Sequence, residues 1–212
     1  AYVIGNRWFH FSPKGWEVQG GVKGTFMNNR GGTVKQSEAL FIPWIYEQKV
    51  NRAEAWAKIG RVYEGQPWKS MGLQLSGVYH DQQGMYAQTK NYDANQQSLY
   101  ANYIYQSMIK NTNHIIKTGA SFQYDAVNEN YNRVAYQRKE VTPGVFGEYS
   151  YSHLEKFNVV AGLRADYHNI YGAFVTPRLH LRYAPTDKSA IRASIGSARR
   201  TANVFAENFA LM

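Results

Sequence analysis

Apolar and polar residues alternate through residues 142–195 almost without interruption. Phe157, Val159, Ala161, Leu163, Ala165 and Tyr167 are apolar or small, and Asn158, Val160, Gly162, Arg164, Asp166 and His168 stand between them. A second run sets Val175, Pro177, Leu179, Leu181 and Tyr183 against Thr176, Arg178, His180 and Arg182. A third sets Ile191, Ala193 and Ile195 against Arg192 and Ser194. Successive side chains of a strand point to opposite faces, so each run predicts a strand with one greasy and one polar face. Turn-rich stretches at 152–156, 169–172 and 184–188 join them into a meander of antiparallel hairpins.

The earlier chain repeats the pattern more weakly. Residues 2–11 read as a strand of ambiguous facing, and Ser12, Pro13, Lys14 and Gly15 as a tight turn. Trp16, Val18, Gly20, Val22, Gly24 and Phe26 then alternate with polar or small residues. From about 27 to 50 the alternation dissolves, which predicts a long loop containing the flexible turn Arg30-Gly31-Gly32-Thr33. Further strands are expected around 51–63, 71–80, 96–109 and 114–125, with polar loops over 81–95 and 128–139. The expectation is an all-β chain of about ten strands. Short turns would lie at one end and long loops at the other, the asymmetry of a transmembrane β-barrel with an apolar outer band and a polar lumen. Tyr79, Tyr105, Tyr124 and Tyr167 are placed near the loop ends, where an aromatic girdle would lie. A soluble sheet with one packed face is the alternative.

Composition narrows this picture. The chain has 212 residues, 15% of them aromatic, no cysteine and a formal net charge of +9. Mean hydropathy is −0.53, and no apolar run is long enough for a membrane-spanning helix. Without cysteine there is no disulfide and no thiolate metal site. The positive charge is spread singly along strands rather than gathered in a basic run, so nucleic acid is not an expected partner.

Several segments resemble the barrel of TonB-dependent outer-membrane receptors, in the style of the Bacteroidetes group. They are 142–149, TPGVFGEY; 161–168, AGLRADYH; 176–183, TPRLHLRY; and 191–196, IRASIG. Arg199, Arg200, Thr201, Asn203, Glu207 and Asn208 carry the family's motif beyond them. The resemblance implies a multi-pass bacterial outer-membrane protein whose 22-stranded barrel is plugged by a separate domain. It also implies uptake of a scarce ligand (iron–siderophore, haem or cobalamin class) energised by the TonB complex. No nucleophile stands out in the sequence, so no catalytic residue and no cofactor are expected. The plug and a closing aromatic strand are not found in 1–212, so these residues are expected to be a partial β-barrel domain. Its partners would be outer-membrane lipid, the plug and remaining strands of the same receptor, the TonB complex and a small-molecule or metal-chelate ligand.

Candidate chemistry follows from the faces. Glu148, Arg164, Asp166, His168, Arg178, Arg182 and Arg192 fall on the expected lumen side. All seven are read as lumen-lining and possible ligand or plug contacts; guanidinium suits carboxylate and phosphate, so the arginines can meet an anionic ligand or pair with Glu148, Asp166 and acids of the plug. Trp44, Tyr46, His80, Tyr86 and Tyr92 are read as loop residues that can contact ligand. Asp166 with His168, and His80 with Asp81, are the acid–histidine pairs a loop-mouth barrel enzyme would use. His80, His168 and Met85 have the ligand types for copper or haem iron, without a spacing motif, and no metal site is assigned. A passive ten-stranded pore is the other alternative.

Overall fold

A computed structural model describes residues 1–33, 44–87, 89–154, 156–186 and 188–201. Ten strands form one antiparallel sheet in chain order. They are β1 (Tyr2–Ser12), β2 (Trp16–Gly32), β3 (Ile45–Tyr63), β4 (Gln66–Tyr86), β5 (Lys90–Ile109), β6 (Asn111–Tyr131), β7 (Val134–His153), β8 (Phe157–His168), β9 (Gly172–Thr186) and β10 (Ser189–Gly196). The sheet is open: among the described residues β1 pairs only with β2, and β10 only with β9.

Register carries one face across the whole sheet. Ala57 lies opposite Gly20 and Leu75, Leu75 opposite Ala101, Ala101 opposite Phe122, and Phe122 opposite Pro143. Farther along, Gly147 meets Leu163, and Leu163 meets Pro177. This convex face is apolar and open, with Val145 59% and Leu163 57% exposed. The concave face carries Arg164, Asp166 and His168 and shelters them; Asp166 is 6% exposed. Facing of β1 is settled by its register, which puts Tyr2 and Ile4 beside Phe26 and Gly24 on the outer face and Arg7 beside Gly21 on the inner.

Two aromatic belts bound the outer band. Tyr2, Phe26, Tyr79, Tyr124 and Tyr167 lie toward one end, and Trp16, Tyr63, Tyr105, Tyr149 and Tyr183 toward the other. On β2, ten residue steps separate Trp16 from Phe26. At ~3.4 Å per residue and a tilt of ~45° that is ~24 Å along the membrane normal, close to the ~25 Å apolar band of outer-membrane barrels. Tyr105 corrects the expectation: it is near the Lys110 turn, at the opposite end from Tyr79.

The expected long loops are strands. β2 continues to Gly32 and pairs with Ile45–Glu47, so Arg30, Gly31 and Gly32 belong to a ladder rather than a flexible turn. Most of the remaining 27–50 stretch, residues 34–43, lies outside the described residues. The polar segment before Asn95 pairs back on itself, with β4 running to Tyr86 and β5 resuming at Lys90. Residues 128–139 form a hairpin closed by Asn132 and Arg133, both at positive φ (48° and 72°). The asymmetry between the two ends is therefore one of strand extension. β3 to β7 have 19–21 residues, where ~9–11 cross a bilayer. Beyond the Tyr79 belt the outer face turns polar, with Asn51, Asp81, Asn95 and Asn128 in one cross-strand row. The extensions stand in water and give that end its rim.

Candidate functional site

The inner face of β6 to β9, at the extended end, forms a groove of ≈ 1010 Å³. Period two puts Arg164, Asp166 and His168 of β8 in it together, beside Gln123 and Asp125 of β6, Arg138, Glu140 and Thr142 of β7, and Phe174 and Thr176 of β9. The chain after β10 turns across it. The Ser197 amide donates to the Pro177 carbonyl at 3.1 Å, the Arg199 guanidinium stacks 5.4 Å from the Phe174 ring centre, and Thr201 Oγ1 lies 3.5 Å from His168 Nε2.

Most of the charge in the groove is already partnered. Arg164 donates to both oxygens of Asp166, at 2.8 and 2.6 Å, and to Ser121 Oγ at 2.6 Å. Bidentate guanidinium–carboxylate pairing holds both groups in plane. Glu140 pairs by charge with Arg138, Nε to Oε1 2.5 Å, and lies 3.3 Å from His168 Nε2. The Ile170 amide donates to His168 Nδ1 at 3.1 Å, which makes Nδ1 the acceptor. In the neutral ring the proton then sits on Nε2, facing Glu140. Asp125 accepts from Gln123 Nε2 at 2.7 Å and from the Ser98 hydroxyl. Deeper along the wall, Glu148 is shared by Lys117 at 3.3 Å and by Arg178.

This geometry corrects two expectations. Asp166 and His168 share a face but do not act on each other: Asp166 is bound to Arg164 and both ring nitrogens of His168 are engaged. His80, His168 and Met85 do not come together either. His80 points inward from β4, three strands lie between it and His168, and Met85 has the opposite parity and points outward.

The other sequence-predicted residues are dispersed. Arg182 and Arg192 sit directly opposite each other on β9 and β10, toward the short-turn end and away from the groove. Tyr46, Tyr86 and Tyr92 belong to strands rather than loops. Tyr86 and Tyr92 are buried on the inner face of the extension, so they are not open stacking platforms. Tyr92 O–H donates to Glu129 at 2.6 Å; burial and this carboxylate push the phenol well above its ordinary range. Burial also raises Tyr86. Trp44 is 44% exposed, with its ring 5.8 Å from that of Tyr46. Arg199, Arg200 and Thr201 line the groove, whereas Asn203, Glu207 and Asn208 lie outside the described residues. Sequence reasoning missed Ser121, Asp125, Glu129, Arg138 and Glu140. Arg138 and Glu140 share a face at a spacing of two, but in a stretch whose polarity reads as a loop.

Residues 6–210 match the model of the TonB dependent receptor-like β-barrel family. No curated protein matches. Among solved structures, the alcaligin outer-membrane receptor FauA of Bordetella pertussis superposes with a TM-score of 0.70 at 11% identity, over 91% of this chain and 34% of that one. The siderophore receptor PirA of Pseudomonas aeruginosa gives 0.65 at 9% identity, over 96% and 40%. The ferric enterobactin receptor PfeA of the same organism, a Q482A variant in complex with enterobactin, gives 0.53 at 12% identity, over 96% and 42%. The chain thus spans between a third and about two fifths of these receptors, and at such identities the likeness is one of fold. Alternation, belts, open sheet and family match agree: the chain belongs to the TonB dependent receptor-like β-barrel family and is a segment of an outer-membrane receptor barrel.

Proposed function

We propose that residues 1–212 are a partial β-barrel domain in the wall of a 22-stranded, plugged receptor that takes up a ferric siderophore with energy from the TonB complex. The observation that carries this reading is the inner groove. Arg138, Arg164, Arg199 and Arg200 meet there, at the extended end, among polar donors. Anionic chelates suit such a wall, because guanidinium groups pair with carboxylate and phenolate oxygens in a sheltered site. The structural neighbours named for alcaligin, siderophore and enterobactin favour this ligand class over haem and cobalamin. Arg164, Asp166, Glu148 and Arg178 hold the wall's shape in this reading, and the plug packs against them. Arg199 and Arg200 contact ligand.

A complete ten-stranded pore is disfavoured by the sheet, in which β1 and β10 do not pair among the described residues. The test is growth and uptake on ferric siderophores, haem and cobalamin in cells with and without TonB. Uptake of a ferric siderophore that disappears without TonB, and weakens in Arg199→Gln/Arg200→Gln, supports the proposal. Uptake indifferent to TonB returns the pore.

A further inference from the structure

Arg61 and Lys69 stand on the outer face, where a barrel meets lipid, and nothing in the transport reading uses them. Arg61 lies opposite Trp16 and Met71, so its face is that of the apolar band. Its guanidinium sits 5.2 Å from the Trp16 ring centre and 4.9 Å from that of Tyr63. The Lys69 ammonium is 4.7 Å from the same Tyr63 ring. Two cations thus make three contacts with two aromatic rings at the belt of the short-turn end. No carboxylate lies within ion-pairing distance of either among the described residues, and Arg61 Nε is buried without a hydrogen-bond partner. Both cations thus stand against the same Tyr63 ring with no carboxylate to offset them, a place where a bound anion would be favoured.

The surroundings say which anion. The belt is where a bilayer's phosphates lie, just outside the hydrocarbon. Short turns mark the periplasmic end of such barrels, hence the inner leaflet. Aromatic rings beside the cations offer a surface for the first methylenes of an acyl chain, and Met71, which accepts from Tyr63 O–H at 3.6 Å, continues that surface.

We infer that Arg61 and Lys69, framed by Trp16 and Tyr63, form a headgroup site for an anionic phospholipid of the periplasmic leaflet. The phosphodiester bridges the guanidinium and the ammonium, and the chains run up the apolar band beside Met71. The site fixes the depth and tilt of β3 and β4 in the membrane. A neutral zwitterionic lipid fits less well, because its own ammonium must sit beside Lys69.

Native mass spectrometry of the protein purified in detergent tests the site by titration with phosphatidylglycerol, phosphatidylcholine and inorganic phosphate. Wild-type protein should retain phosphatidylglycerol in preference to phosphatidylcholine and should not respond to inorganic phosphate. Each of Arg61→Gln and Lys69→Gln should weaken retention about fivefold, and the pair about thirtyfold. Lys110→Gln, the same charge change at another turn, should leave it unchanged. Folding is checked by the heat-dependent gel shift of an intact barrel, and the two single variants guard against loss of the double. Equal retention by wild type and a folded Arg61 or Lys69 variant overturns the inference. So does an equal loss in Lys110→Gln, which would mean diffuse charge, or displacement of lipid by inorganic phosphate, which would mean an anion site without lipid.

Discussion

Replacing Gly144 by alanine tests whether the inner wall is packed as described. Gly144 lies opposite Asp166 on β8, and a methyl group there would overlap the Asp166 carboxylate. It would sit 2.9 Å from Cγ and 3.0 Å from Arg164 Nη2, where ordinary contact starts near ~3.4 Å. The carboxylate has no free space to take up: its side chain is 4% exposed, and Arg164 holds both oxygens. Admitting the methyl must break at least one charge-assisted hydrogen bond, a loss of about 1.5–3 kcal/mol. Arg164 is itself 38% exposed, so water softens that loss toward its lower end. Alanine recovers about 0.5–1 kcal/mol of strand preference over glycine. The net expectation is about 1–2 kcal/mol of destabilisation. Gly147, on the same strand, has nothing within 4 Å of its would-be Cβ and faces lipid. Its alanine variant should be neutral or more stable by about 0.4–1 kcal/mol. Guanidinium unfolding of the protein in detergent, followed by tryptophan fluorescence, compares the two. In an Asp166→Ala background the Gly144 penalty should vanish, since the obstructing group is gone. Equal midpoints for the two glycine variants, or an undiminished penalty in that background, would refute the packing.

Other consequences are open to simpler tests. Glu148→Gln leaves Lys117 and Arg178 facing each other without their shared carboxylate, which is 11% exposed, and should cost about 1–3 kcal/mol by the same unfolding assay. Arg178→Gln removes a partner that is 55% exposed and should cost under about 1 kcal/mol, so the reverse order would count against the sharing. Leu163→Arg puts a charge on the outer face between the belts and should lower stability by about 2–4 kcal/mol; a neutral effect would mean that this face does not meet lipid. Tyr92 should be among the last tyrosines to ionise in an absorbance titration at high pH. Its folded pKa is raised, so the stability it contributes is intact below the phenol's ordinary range near ~10 and is lost as pH climbs above it. Tyr92→Phe should remove that late step and flatten the alkaline loss; an unchanged titration curve would contradict the Tyr92–Glu129 contact.

What the sequence made legible, and what it hid, has one physical cause. Between the aromatic belts one face meets lipid and the other water, so period two is written plainly from Phe157 to Tyr183. Above the belt both faces meet water and the alternation has nothing to encode. Asn128 to Lys139 is polar at almost every position, although it forms a tight hairpin closed by Asn132 and Arg133. Tyr105 was misplaced for a related reason: an aromatic residue at either belt looks the same until the turn beside it is known. Within the groove, the Arg164–Asp166 pair was legible because it is local, two residues apart on one face. Ser121, the third member, is 43 residues away and joins only through the β6–β7–β8 register. Arg138 and Glu140 were hidden by their setting, since a polar stretch long enough to be a loop gives no cue that its residues share a face with His168.

Which face of the sheet meets lipid decides where the lumen, the belts and the groove lie. Spin labels at Leu163, Arg164, Arg178 and Leu179, one at a time in the protein reconstituted into bilayers, measure this through collision with oxygen and with a water-soluble nickel chelate. Labels at Leu163 and Leu179 should favour oxygen, and labels at Arg164 and Arg178 should favour nickel. The opposite pattern would invert the register, put the arginine groove in hydrocarbon, and contradict the receptor wall described here.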